Sequence, residues 1–139
     1  MQFYEAQNAG TPLIKKLGIK AGFVMHTINV PEGYFARLGE LPNGVERRKH
    51  LAGPLDFIHV FETSREELEE RFPRLIRELG DDGMLWVSWP KATSGVESDI
   101  DREVVRAIGQ NHGLVDVKVS AVDDTWSALK FVYRHGDDT

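Results

Sequence analysis

Residues 55–91 read LDFIHVFETSREELEERFPRLIRELGDDGMLWVSWPK. Leu55, Phe57, Ile58, Val60 and Phe61 form a near-continuous apolar run of strand length, and Met84, Leu85, Trp86, Val87 and Trp89 form a second. Runs of this kind, apolar on both faces, belong to parallel strands covered on each side. Between them Ser64 and Glu67 make an S-x-x-E capping box, in which the serine hydroxyl accepts from a free N–H of the first helical turn. Leu68, Phe72, Leu75, Ile76 and Leu79 follow at helical spacing, and Gly80 is placed just past the helix end as its left-handed closing residue. The stretch is one βαβ unit that ends in a Trp-Pro-Lys loop.

Downstream, 92–97 is a Ser/Thr/Gly loop, Ser98 is expected to cap a helix, and Ile100, Val104, Val105 and Ile108 give that helix a buried stripe that Gly113 ends. Gly109 within it costs about 1 kcal/mol relative to alanine, which predicts a loose last turn. Two alternating strands follow, 115–122 and 128–134, joined by 123–127; the connection is too short for a crossover, so they are antiparallel neighbours. Upstream, Thr11 and Pro12 start a short helix over 13–17 that Gly18 closes, read as a lid turn and not as a core helix. Gly22 opens a strand over 23–30, and Pro31 begins a short helix with Phe35 and Leu38 on one face and Gly39 at its end. Pro42, Asn43 and Gly44 make a turn. Residues 45–49 then read as a poor edge strand, since lysine and arginine protect exposed edges from pairing with other chains; a solvated loop is the alternative.

The 139 residues fit a single domain over 11–134, with ends at 1–10 and 135–139 that fray. With 17 basic against 22 acidic residues the formal net charge is −5, so the chain has no general attraction to a phosphate backbone and nucleic-acid binding is not expected. The absence of cysteine excludes disulfides, thiolate metal sites and a cysteine nucleophile, and suits a reducing compartment. The first ten residues lack a basic start and an apolar core, and no run approaches the roughly 20 apolar residues of a membrane span. The expectation is a cytoplasmic protein with no membrane partner.

A chain of this order resembles the C-terminal half of the class I S-adenosylmethionine-dependent methyltransferase fold. The resemblance implies a Rossmann-like α/β fold: a mostly parallel sheet with a C-terminal antiparallel hairpin, helices on both faces and a strand order of about 2-1-3-4-6-5, the last strand inserting between the previous two. That family carries a G-x-G-x-G turn after its first strand and an acidic residue for the cofactor ribose after the next. Here the turn is NVPEGYF, with only Gly33, and the edge strand ends in Lys49, His50 and Leu51. The chain also lacks the length for the family's further strand and helix. The segments TPLIKKLGIKAG, NVPEGY, WVSWPKATSGV, GLVDVKVSAVDDTW and SALKFV, spread from Thr11 to Arg134, resemble the bacterial domain of unknown function family 3052. That resemblance implies a small Rossmann-like domain and no activity.

In an open α/β sheet the ligand crevice lies at the carboxyl ends of the parallel strands. That edge selects Asn29 and Glu32 after the first strand, Glu62 and Thr63 after the third, and Lys91, Thr93 and Ser94 after the fourth. The loop KATSGVESD leads into a helix start, where Lys91, Ser94 and free backbone N–H groups can hold a phosphate or carboxylate; a merely capped loop is the alternative. Asp123, Asp124 and Trp126 form a second cluster, suited to a cationic or planar ligand or, as a structural corner, to an Asp-rich turn closed by tryptophan. Lys130 is read as the partner of a carboxylate. His26 and His59 lie on neighbouring strands without a third ligand at metal spacing, so no metal is expected, and no G-x-S-x-G elbow surrounds Ser88.

No catalytic residue and no cofactor is assigned. The reading adopted is a non-catalytic α/β domain that binds a small anionic ligand or a protein partner through Asn29, Glu32, Thr63, Lys91, Ser94, Asp124 and Trp126. One alternative is a divergent methyltransferase working with Glu32, Lys91 and Asp124; the other is an interaction module forming an oligomer through an exposed edge or paired helices. Pro31 and Glu32 in the first turn predict no tight binding of S-adenosylmethionine.

Overall fold

The computed structural model describes residues 10–134, so the ends expected to fray lie, apart from Gly10, outside the described residues. In chain order the elements are α1 (Leu13–Leu17), β1 (Val24–Ile28), α2 (Tyr34–Leu38), β2 (Glu46–Arg47), β3 (Leu55–Phe61), α3 (Arg65–Glu78), β4 (Leu79–Pro90), a 3-10 turn (Ala92–Ser94), α4 (Arg102–Asn111), β5 (Leu114–Ala121) and β6 (Trp126–Tyr133). One sheet holds all six strands in the order β2-β1-β3-β4-β6-β5. The first four are mutually parallel, and β6 runs antiparallel to both β4 and β5. This is the Rossmann-like order expected from the sequence, with β6 inserted inside β5 and not at the sheet edge.

The apolar runs of β3 and β4 serve both faces because side chains alternate along a strand. Leu55, Ile58 and Val60 of β3, with Leu85, Val87 and Trp89 of β4, pack against Leu68, Phe72 and Leu75 of α3 and Val105 and Ile108 of α4. Phe57, Phe61 and Trp86 point the other way, against Leu13 and Leu17 of α1 and Tyr34 and Leu38 of α2. The helices therefore lie on both faces, the two long ones together.

Several boundaries differ from the sequence reading. The α1 segment is a core helix and not a lid: Leu17 is fully buried, and the Trp86 indole N–H donates to its carbonyl at 2.9 Å. Pro31 does not begin α2. Gly33, at φ 88°, turns the chain first, and Tyr34, 2% exposed, starts the helix inside the core. Ser64 does cap α3, accepting from the Glu67 N–H at 3.2 Å, but Gly80 does not close it. Leu79 ends the helix in an extended conformation and is already the first residue of β4. The glycine needed near that junction is Gly83, where a Cβ would come within 2.6 Å of the Leu55 carbonyl oxygen.

Ser98 caps a local turn at Ile100 and not the helix. Asp101 is the cap of α4, its carboxylate accepting from the Val104 N–H at 3.0 Å. Gly109 is not a loose point: it is buried, and a Cβ there would overlap the fully buried Phe131 ring, so its lack of a side chain lets α4 lie close on β6. Residues 45–49 do form the edge strand, with β2 reduced to two residues beside β1.

Candidate ligand site at the carboxyl edge of the sheet

Parallel pairing brings the exits of β1, β3 and β4 to one edge. At the first exit Asn29 adopts φ 61°, a conformation its short polar side chain tolerates, and donates from its amide to the Phe61 carbonyl at 3.2 Å. It thus ties the first exit to the third. Glu32 stands exposed on the turn that follows. At the β3 exit Glu62 is 4% exposed and receives the Arg71 guanidinium at 2.7 Å. Burial pushes its carboxyl upward while Arg71 pulls it back, so Glu62 is a structural acid engaged with α3. Thr63 is exposed, and its carbonyl accepts from the Asp99 N–H at 3.3 Å.

At the β4 exit Pro90 stands opposite Trp126 of β6, and the Lys91 N–H donates to the Thr125 carbonyl at 2.7 Å. The Trp-Pro-Lys loop is therefore fastened to the hairpin turn. Trp126 meets Phe61 edge-on, with ring centroids 5.1 Å apart, and is half-buried as a corner of the core. Asp123, not Asp124, builds the turn, its carboxylate accepting from the N–H groups of Thr125 and Trp126 at 2.8 Å each. Asp124 is exposed.

A cleft of about 440 Å³ opens beside this exit, lined by Trp89, Pro90, Lys91, Ala92, Val96, Ser98, Asp99, Ile100 and Asp101. Of the seven residues selected from the sequence, Lys91 alone lines it. Thr63 lines an adjoining hollow with Ser64, Glu97, Ser98 and Asp99. The Ser94 hydroxyl is engaged within its own loop, accepting from the Val96 N–H at 3.1 Å. The start of α4 is filled by Asp101, and Asp99 accepts from the Arg65 N–H at the start of α3 at 2.7 Å. Neither helix end therefore offers its free donors to an incoming anion.

Lys91 itself has no counter-charge among the described residues. Among the described residues the four ion pairs all take arginine as the cation, so pairing of Lys91 with Glu97, Asp99 or Asp124 is absent. Its charged neighbours include another cation. The partly buried Lys16 ammonium is pushed below the usual lysine range by burial and then by the like charges of Lys91, Lys118 and Arg37. Lys16 and Arg37 come from α1 and α2, far from Lys91 in the chain, and no local pattern marks them.

Two arrangements that resemble catalytic or metal chemistry are structural. His59 joins Tyr34 Oη at 2.8 Å through Nδ1 and Ser88 Oγ at 2.7 Å through Nε2, a serine–imidazole contact of catalytic length. Both Ser88 and His59 are wholly buried, and burial drives the imidazole down to about 3, so the chain is a satisfied polar relay inside the core. His26 pairs across the strands with Ile58 and not with His59, which turns the two histidines to opposite faces of the sheet.

No family model matches the chain, and no curated protein matches it in sequence, so the likeness to domain of unknown function family 3052 stands on the quoted segments alone. Solved structures do match. The chain is similar to a SAM-dependent methyltransferase from Aquifex aeolicus, at 14% identity over 94% of this chain and 96% of that one, with a TM-score of 0.60. The N-methyltransferase NodS from Bradyrhizobium japonicum WM9 gives 13% identity over 96% and 98%, with a TM-score of 0.59. Magnesium protoporphyrin IX methyltransferase from Synechocystis PCC 6803, described with bound SAH, gives 13% identity over 96% and 83%, with a TM-score of 0.55. The chain has the methyltransferase-like Rossmann fold; identities this low carry the fold and nothing further. No helix among the described residues is long and apolar enough to cross a membrane.

The cofactor this fold implies, S-adenosylmethionine, does not fit the residues present. The turn after β1 offers a single glycine, Gly33, and carries Pro31 and Glu32 where the cofactor's methionine end needs small, flexible residues. At the β2 exit, where a ribose diol needs an acceptor, stand Arg47, Arg48 and Lys49. The Arg47 guanidinium lies 3.6 Å from the Phe35 ring centroid, and Arg48 bonds to Glu46 and the Ala52 carbonyl. A ribose diol finds no carboxylate acceptor among these cations.

Proposed function

We propose that this chain is a methyltransferase-fold domain that holds a small anionic ligand at the carboxyl edge of its parallel strands, with Lys91 as the charged anchor. The observation that carries this reading is the half-buried Lys91 in a cleft of about 440 Å³, beside the Lys16 cation and, among the described residues, without a carboxylate at ion-pair distance. A partly desolvated ammonium without a partner is costly, and an anion of the ligand supplies the missing charge. Asp99 and Asp101 in the same cleft are held by the N–H groups of Arg65 and Val104, which fixes their carboxylates away from that task. Trp89, Val96 and Ile100 give the ligand an apolar wall.

A second reading, a divergent methyltransferase using Glu32, Lys91 and Asp124, is favoured by the fold neighbours, which are themselves methyltransferases. Fold likeness speaks for this reading more than for a domain without catalytic ancestry, and the chemistry of the edge speaks for the first.

Thermal unfolding of wild type and Lys91→Ala in a panel of phosphate, nucleotides and carboxylates tests the anchor. At least one anion should stabilise wild type, by about 2.7 kcal/mol at a hundredfold excess over its Kd. The variant should lose most of that response. If no anion stabilises wild type, or the variant responds equally, the loop is structural and the site is withdrawn.

A further inference from the structure

The carboxyl edge does not use all of the unpaired lysines. Lys118 of β5 and Lys130 of β6 stand directly opposite each other, and Lys130 is in turn opposite Trp86 of β4. Lys130 follows Ala128 by two residues and so shares its face of the sheet, the face of α1 and α2, while α4 packs on the other side of the hairpin. Lys16 and Lys118 lock α1 to this hairpin: the Lys16 ammonium donates to the Ala121 carbonyl at 3.3 Å, and the Lys118 ammonium to the Lys16 carbonyl at 3.1 Å. Lys20, exposed just beyond α1, adds its charge to the same group.

Like charges directly opposite on adjacent strands are destabilising. Here the repulsion is not relieved. The Lys130 carboxylate partner expected from the sequence is absent: its half-buried ammonium has neither an ion pair nor a hydrogen bond among the described residues, and burial, Lys118 and Lys20 all push it below the usual lysine range.

We propose that this face is a second binding site, for an oligophosphate chain of a small ligand, with phosphates bridging Lys118 and Lys130 and with Lys16 and Lys20 at its flanks. Ammonium groups bind phosphate as point charges, and four of them spread over two strands and a helix end match several linked anions better than one. A long polyanion suits the molecule less, since its net charge of −5 opposes the rest of a nucleic acid. The two sites share Lys16 as a neighbour but differ in their anchors, Lys91 in one and the Lys118–Lys130 pair in the other, so failure of this one leaves the Lys91 reading standing.

The test is calorimetric titration of the full chain with inorganic tripolyphosphate, paired with thermal unfolding without ligand. Lys130→Met keeps the apolar stem and removes the charge; Lys20→Met acts at an exposed position where the fold is not at stake; exposed Lys15→Met is the control. Wild type and Lys15→Met should bind alike, Lys130→Met at least tenfold more weakly, and Lys20→Met measurably more weakly. Unliganded Lys130→Met should melt above wild type, because the repulsion is gone. The proposal is overturned if wild type does not bind, if single phosphate binds as tightly as tripolyphosphate, if Lys130→Met binds as wild type does, or if that variant melts lower, as a structural lysine would require. An RNA oligomer bound more tightly than tripolyphosphate, and lost in the same variants, would also overturn it in favour of a nucleic-acid surface.

Discussion

Replacing Trp86 by alanine should lower the unfolding free energy by about 3–5 kcal/mol, the usual loss for a large aromatic deleted from a core. Trp86 is fully buried between the sheet and α1, and its N–H to the Leu17 carbonyl is the bond that seats that helix. Truncation leaves a cavity and frees the carbonyl, so α1 should loosen before the rest of the fold. Urea unfolding gives the total, and hydrogen exchange should show the amides of 15–18 losing protection ahead of those in α3. Trp86→Phe, which keeps most of the volume but not the donor, should fall between the two. A Trp86→Ala loss within about 1 kcal/mol would mean that α1 rests on the surface as a lid after all.

Acid should destabilise the protein through His59. Its imidazole is buried, stacked on Phe61 at 4.3 Å, and held in the neutral form down to about pH 3. In the unfolded chain the same ring takes up a proton below about pH 6.5. The unfolded state therefore binds more protons between those limits. The contribution is complete above about pH 6.5 and is lost as the pH falls toward 3, at up to about 1.4 kcal/mol per unit. Denaturant midpoints of wild type and His59→Leu between pH 7 and pH 4.5 should diverge in slope, with wild type the steeper. Glu62, whose raised carboxyl acts in the opposite direction, is common to both proteins and cancels. Parallel slopes would show that the ring is not the neutral buried group described here.

The fold was legible because its signals are local. The apolar runs of β3 and β4, the Ser64 cap and the short link between β5 and β6 each act within a few residues and mark the elements and the hairpin, while the order 2-1-3-4-6-5 was implied by the resemblance to the methyltransferase fold. Errors arose where a residue answers to a distant partner. Gly109 reads as a weak point in a helix until Phe131 is placed against it, and α1 reads as a lid until Trp86 reaches Leu17. Ser98 reads as the cap of α4 until the bond from the Val104 N–H to the Asp101 carboxylate is placed.

The site was less legible for the same reason. The place of Lys91 at the cleft was visible because it follows the Trp-Pro end of a strand. Ser94, Asp124 and Trp126 shared that neighbourhood but are a loop hydroxyl, an exposed turn residue and a core corner. The Lys16 cation beside Lys91 comes from α1, far away in the chain, and the Lys118–Lys130 pair appears only once the hairpin register is known.

Calorimetric titration with S-adenosylmethionine and S-adenosylhomocysteine is the most direct test of the proposal that this methyltransferase fold holds an anion at its edge in place of the cofactor. The basic β2 exit and the single-glycine turn predict no saturable heat with either compound up to millimolar concentration. A micromolar affinity for either would contradict the account and move the chain to the divergent methyltransferases.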